Sequence, residues 1–515
     1  MSRQLPAKPN LEHLKKQAKE LLDDFKLGKP GAIERFHSLA SQSSSAPKLA
    51  DAQHVIARDY GFAGWPKLKE HVEALVSTLT PAELLAAAVR ARDAGRARDI
   101  LEEHPELRAR IDDPLPGDAF GEHALFAAVQ RGDQTTIDVL LRAGANIQKR
   151  TEWWAGGFGV LDDCDPSMVE FLRERGAVLD AHSAARLGMM AKLRELVSVD
   201  PDVVHARGGD GQTPLHFAST VEIAEFLLAN GAAIDAKDVD HESTPAQYML
   251  RVAQARHYPR DRQPVARYLV TRGCRTDILM AAALGDLEMV RWHLASDPAS
   301  IRMRVSDEYF PKQNPRSGGT IYIYLFGRYR TAHQIARDFG HEELFQFLMQ
   351  HSPQDLKLAQ ACELGDEELF RGLLASRPNL IQTLSDGDWR RLTDAAQNNN
   401  TAAVRLMLAA GWPVDTRGEY DMTPLQWASW HGNAEMVREI LRYRPRIELK
   451  DNHHGITAMG SALHGSMNGW HRDTGDYVAT VEALLTSGAR APELTEDLEA
   501  SDSVRDLLRR HAEAL

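Results

Sequence analysis

The chain of 515 residues is 43% hydrophobic and 26% charged, with a net charge of -12 and a pI near 6.0. That length exceeds the roughly 250–300 residues at which one core stops growing, so several domains or a repeat array are expected, and the acidic balance argues against nucleic acid as a partner. No apolar run is long enough to span a membrane, residues 1–10 are polar rather than signal-like, and three scattered cysteines (Cys164, Cys274, Cys362) form neither a disulfide framework nor a Cys-x-x-Cys metal site, so the expected compartment is the cytoplasm.

In chain order, residues 1–79 read as a helical N-terminal domain. Its three amphipathic helices are Leu11 to Lys26, Ala32 to Leu39, and Leu49 to Tyr60 continued by Trp65 to Val76, with Ser41 to Ser45 as a connector. Residues 80–490 carry a recurring phrase. Its opening half stands at Thr213-Pro214-Leu215, Thr244-Pro245, Thr331-Ala332, Thr423-Pro424-Leu425 and Thr457-Ala458; Thr213 to Thr244 is 31 residues and Thr423 to Thr457 is 34. Thr caps the free amides of a helix and Pro at the first helical position loses no hydrogen bond. The closing half, Leu-Leu followed by Gly-Ala, stands at Gly144, Gly231 and Gly488, where glycine supplies a left-handed stop. Units opening near Ala82, Ala181, Ile278 and Leu356 instead run into Pro105, Pro201, Pro298 and Pro378, which end a helix by another device. Insertions are expected near 250–263, overlapping the basic stretch Arg251 to Arg267, and near 305–329. The alternation Thr320-Ile321-Tyr322-Ile323-Tyr324 predicts a short strand or hairpin, whose Tyr322 and Tyr324 either roof a binding site or pack as a local core. Residues 491–515 read as a C-terminal capping helix with Val504, Leu507 and Leu508 on one side.

These phrases, at a period near 33 residues, resemble ankyrin repeats. The resemblance implies an all-α ankyrin-repeat solenoid of roughly twelve helix-turn-helix units with helical caps, and the string Pro9 to Lys19 with Tyr60-Gly61-Phe62 and Trp65-Pro66 resembles a segment that precedes ankyrin arrays in bacterial proteins. It also implies a concave groove, lined by the finger tip before each Thr-Pro-Leu and by the end of each first helix. Carried onto this chain, those positions are Trp430, His431, His453, His454 and His464, to which an inserted loop from Ser466 to Tyr477 adds Trp470, His471 and Asp473. The expected function is a binding scaffold for a protein partner, with no membrane contact and no cofactor. The competing expectation is an enzyme or small-molecule binder, with a transition metal on His453, His454 and His464 or a histidine and Asp473 or Asp476 as general base. His216, Gln247, Gln334 and Gln426 take the position that the resemblance makes a structural bridge between loops. No P-loop, His-Glu-x-x-His or Gly-x-Ser-x-Gly is present.

Overall fold

The computed structural model describes residues 5, 11–37, 47–76, 79–118, 120–250, 261–384, 386–495 and 498–514. Among them are helices, short 3-10 turns and two isolated bridge pairs, and no strand. No helix is long and apolar enough to cross a membrane. The chain divides into two compact units, one of Met1–Ala233 and one of Ile234–Ala253 with Asp261–Leu515. The connector Ser41 to Ser45 and most of the 250–263 insertion, with Arg256 and Arg260, lie outside the described residues.

In the first unit the N-terminal segment has four helices rather than the three expected: Leu11–Lys26, Pro30–His37, Leu49–Asp59 and Trp65–Val76. The break falls at Gly61, whose φ of 81° ends one helix, and Pro66 then starts the next. These helices close on a core of their own that includes Leu14, Leu21, Phe36, Val55, Ile56 and Leu68. Helix pairs follow, beginning with Pro81–Arg90 and Ala94–Glu103. One position departs from the pattern. Between Gln134–Arg142 and Val169–Glu174 a loop replaces the first helix of a pair. A Cβ on its Gly157 would lie 1.9 Å from the Thr151 carbonyl oxygen, so only glycine lets this loop close.

The repeat phrase folds for the reasons its residues suggest. Thr213, Thr244, Thr331, Thr423 and Thr457 are all N-caps in extended conformation. The fourth residue of the phrase completes the cap: buried His216 Nδ1 accepts from the Thr213 amide at 3.0 Å, and Gln426 Oε1 accepts from the Thr423 amide at 2.7 Å. Gln426 Nε2 also donates to the Ile456 carbonyl at 2.7 Å, tying one loop to the next. Second helices start on a side-chain cap too, at Asp93, Asp133, Asp286, Asp366, Asn400, Asn433 and Asp476. Gly144, Gly231 and Gly488 are left-handed, and Pro105, Pro201 and Pro298 begin 3-10 turns where their units lack such a glycine.

The second unit continues the pairs to Ala458–Asn468 with Tyr477–Thr486, and the last helix, Asp502–Ala514, seats Val504 and Leu508 on a core that also holds Met436, Val437 and Leu484. The 305–329 insertion is closed at its base by the Val305 amide to the Arg330 carbonyl, at 3.0 Å, and the Tyr329 amide to the Val305 carbonyl, at 2.7 Å. The expected strand at 320–324 is instead one helical turn, Tyr322–Leu325. The alternation of β-branched and aromatic residues loses to burial of a single ring. Tyr322 is fully buried, donates to Asp277 Oδ2 at 2.9 Å and meets Phe310 and Phe326 at 5.3 and 5.1 Å. Tyr324 stays exposed beside His241.

Two buried imidazoles in this unit contribute stability at neutral pH that acid removes. Burial pushes His333 down to about 3 and His431 down to about 4. Both rings are neutral in the folded state and titrate near 6.5 once unfolded, so stability present above pH 6.5 is lost as pH falls toward 4, at roughly 1.4 kcal/mol per pH unit for each ring. Asp163 and Asp394, which burial raises to about 7 and about 6, act in the opposite sense over the same range, so the imidazole contribution is read by comparing variants: between pH 7.5 and pH 5 the urea midpoint of H333F, which cannot titrate at this position, should fall less, or rise more, than that of the parent chain.

Candidate functional site

The site is built on the helix Pro424–Trp430, in which Trp427 and Trp430 stand three residues apart on one face. Trp427 is buried and Trp430 half-buried. The first helix of the following pair, Ala458–Asn468, crosses so closely that a Cβ on Gly465 would meet the Trp430 carbonyl oxygen at 2.4 Å. The loop that follows is pinned on both flanks. The Gly469 amide donates to the Gly465 carbonyl at 2.8 Å, the Asp476 amide to the Gly432 carbonyl at 2.8 Å, and Tyr477 Oη to the Trp430 carbonyl at 2.8 Å. That framework presents Trp470, 67% exposed, with its ring stacked on Trp427 at 6.1 Å and edge-on to Trp430 at 6.4 Å.

Two finger loops approach the same rings. In the first, Tyr420 and Asp421 both take positive φ, 56° and 58°. The corresponding turn of an earlier repeat is made by Asp210 and Gly211, a pairing that tolerates this geometry far better. Asp421→Gly is therefore expected to raise the unfolding free energy by about 1 kcal/mol, read as a higher midpoint in urea, while leaving the Tyr420 ring in place. In the second finger the Asp451 carboxylate accepts the amides of His453 at 2.9 Å, Gly455 and Ile456 at 3.2 Å, and His454. Burial alone would raise its pKa, but these amides hold it below the usual carboxylate range. The loop so fixed leaves His453 and His454 exposed.

Between these elements lies a cavity of about 480 Å³. Trp427, Trp430, Trp470, Ile456, Leu463 and Leu498 give it apolar walls, and Tyr420, His454, His464 and Glu499 add polar groups. His464 Nδ1 lies 3.0 Å from Glu499 Oε2. The Nε1 atoms of Trp427 and Trp430 are buried without a hydrogen-bond partner. An apolar pocket with a few placed polar groups is suited to recognition.

The residues singled out in the sequence divide accordingly. Trp430, His454, His464 and Trp470 line the cavity. His453 is set back, edge-on to Tyr420 at 5.4 Å. His431 is not on the groove surface: it is buried beneath it, held by the contact of its Nε2 with the Gln397 carbonyl at 2.8 Å. His471 packs on His431 at 5.2 Å, its Nδ1 3.5 Å from Thr474 Oγ1, and Asp473 points to solvent beside Arg472, so the loop holds no histidine–aspartate pair of general-base geometry. The ligand atoms of His453, His454 and His464 do not come within 4.8 Å of one another, which does not fit a shared metal. Tyr322 and Tyr324 belong to the 305–329 insertion and do not line this cavity. Sequence reasoning missed Trp427, Tyr420, Leu498 and Glu499. The Trp-x-x-Trp spacing was a usable signal for Trp427, whereas nothing local marks Leu498 or Glu499.

Comparison with known proteins agrees with this architecture. A family model for three ankyrin repeats matches residues 356–451, and one for a single ankyrin repeat matches 210–239. The unit that carries Trp470 lies beyond the first match. The E3 ubiquitin-protein ligase XB3 of Oryza sativa subsp. japonica is 29% identical over 99 residues, 19% of this chain and 22% of that protein. The chain thus spans about a fifth of the length of that relative. Helix pairs, capping pattern and family matches together show an all-α fold that contains ankyrin repeats.

Proposed function

We propose that this protein is a binding scaffold that recognises a protein partner through the tryptophan-lined groove of its last two repeats. The observation that carries the reading is Trp470, a large apolar ring held exposed over a preformed apolar cavity by hydrogen bonds at both ends of its loop. Aromatic anchors at well-packed, preorganised surfaces dominate the energetics of protein recognition. The three cysteines, all buried and unpaired, suit a reducing compartment such as the cytoplasm.

The test compares capture by the full chain and by two variants. A partner retained by the parent protein should be lost with Trp470→Ala and kept with Trp292→Ala, which removes an equally exposed ring on the helix Leu287–Ser296. Retention by both variants would reject the groove as the contact surface.

A further inference from the structure

Resting on the reading of this groove as the contact surface, we infer that its occupant is an extended, basic peptide segment, anchored by an Arg or Lys side chain laid against the tryptophans. Two independent features of the last repeats converge on that chemistry. Residues 451–500 carry eight Asp and Glu against two Arg, so these 50 positions hold -6 of the chain's net charge of -12. One of those carboxylates, Glu499, lines the cavity itself. Its side chain remains 72% exposed while meeting His464, so it is open to a second partner. The walls around it are indole rings, the side chains that attract a cation most strongly through their faces, and the aliphatic stem of Arg or Lys suits the remaining apolar surface of Ile456, Leu463 and Leu498. The protein partner proposed above supplies that cation as an Arg or Lys side chain of an extended segment, whose apolar neighbours fill the rest of the cavity.

The probe is a library of random linear peptides displayed on phage and selected against the full chain. Peptides enriched on the parent protein are expected to share an Arg or Lys next to an apolar residue. A synthetic copy should bind at least tenfold more weakly to Trp470→Ala and to Glu499→Lys, and exchanging its basic residue for Glu should restore binding to Glu499→Lys. Equal thermal midpoints of the three proteins exclude misfolding as the cause. Selected peptides that need Trp470 but carry no basic residue, or that bind Glu499→Lys as well as the parent, would overturn the basic anchor and leave the groove as the contact surface. Peptides indifferent to Trp470, or a library that yields no Trp470-dependent binder, would overturn both.

Discussion

Trp470→Ala is expected to weaken partner binding by 2 kcal/mol or more, roughly thirtyfold, while leaving the unfolding midpoint unchanged. The two halves of that expectation have separate origins. The ring is 67% exposed, so its removal uncovers little core and opens no internal void. Its loop is held by backbone hydrogen bonds and by Tyr477, none of which involves the indole, so truncation leaves the loop in place. The partner, in contrast, loses a wall of its pocket and the stacked surface that Trp470 forms with Trp427. Calorimetric titration of both proteins with the same ligand, paired with thermal melts, reads both quantities. A drop in midpoint comparable to the loss of affinity would mean that Trp470 is a structural residue.

Gly465→Ala is the opposite case, a single methyl group expected to cost about 3 kcal/mol and to loosen the last repeats as a block. The added Cβ would sit 2.4 Å from the Trp430 carbonyl oxygen and 3.1 Å from its carbonyl carbon, and both are backbone atoms that cannot rotate away. Relief requires the helix Ala458–Asn468 to move off Pro424–Trp430, and that movement separates Leu463 and Ala462 from the shared core. In a repeat array each unit is stabilised mainly by its neighbour, so damage at one interface spreads to the array end before it reaches the middle. Hydrogen exchange should therefore show faster exchange across 458–514 and little change across 81–142. Binding at the groove should fail together with stability, which distinguishes this variant from Trp470→Ala. Uniform destabilisation of the whole chain would argue against repeat-by-repeat coupling.

Much of the fold was legible because it is written in local chemistry. Thr213, Thr244, Thr331, Thr423 and Thr457 cap helices for reasons that need no tertiary information, and the glycines after Leu140-Leu141, Leu227-Leu228 and Leu484-Leu485 stop them. The failures occur where a distant contact overrides a local pattern. Alternation at 320–324 matched a strand, yet Tyr322 gains more from Asp277 and two phenylalanines than from a pleated edge, and neither contact is visible in the segment itself. His431 was placed on the groove by analogy of position, but its hydrogen bond to the Gln397 carbonyl draws it inward. Helix-end and finger positions point to Trp430, His454 and His464, and all three line the cavity. The cavity's far wall, Leu498 and Glu499, comes from the segment after the last repeat and carries no repeat signature, so only the folded arrangement reveals it.

A partner seated over the tryptophan cavity must touch Tyr420, which lines it. Tyr420 is replaced by the photoreactive p-benzoylphenylalanine, with exposed Trp292 replaced likewise as a control. On irradiation in cells that express the protein, a covalent adduct is expected at position 420, absent from position 292, whose cross-linked peptide from the partner is basic. An adduct at 292 of equal yield, or none at 420 while the partner is still captured, would contradict that placement.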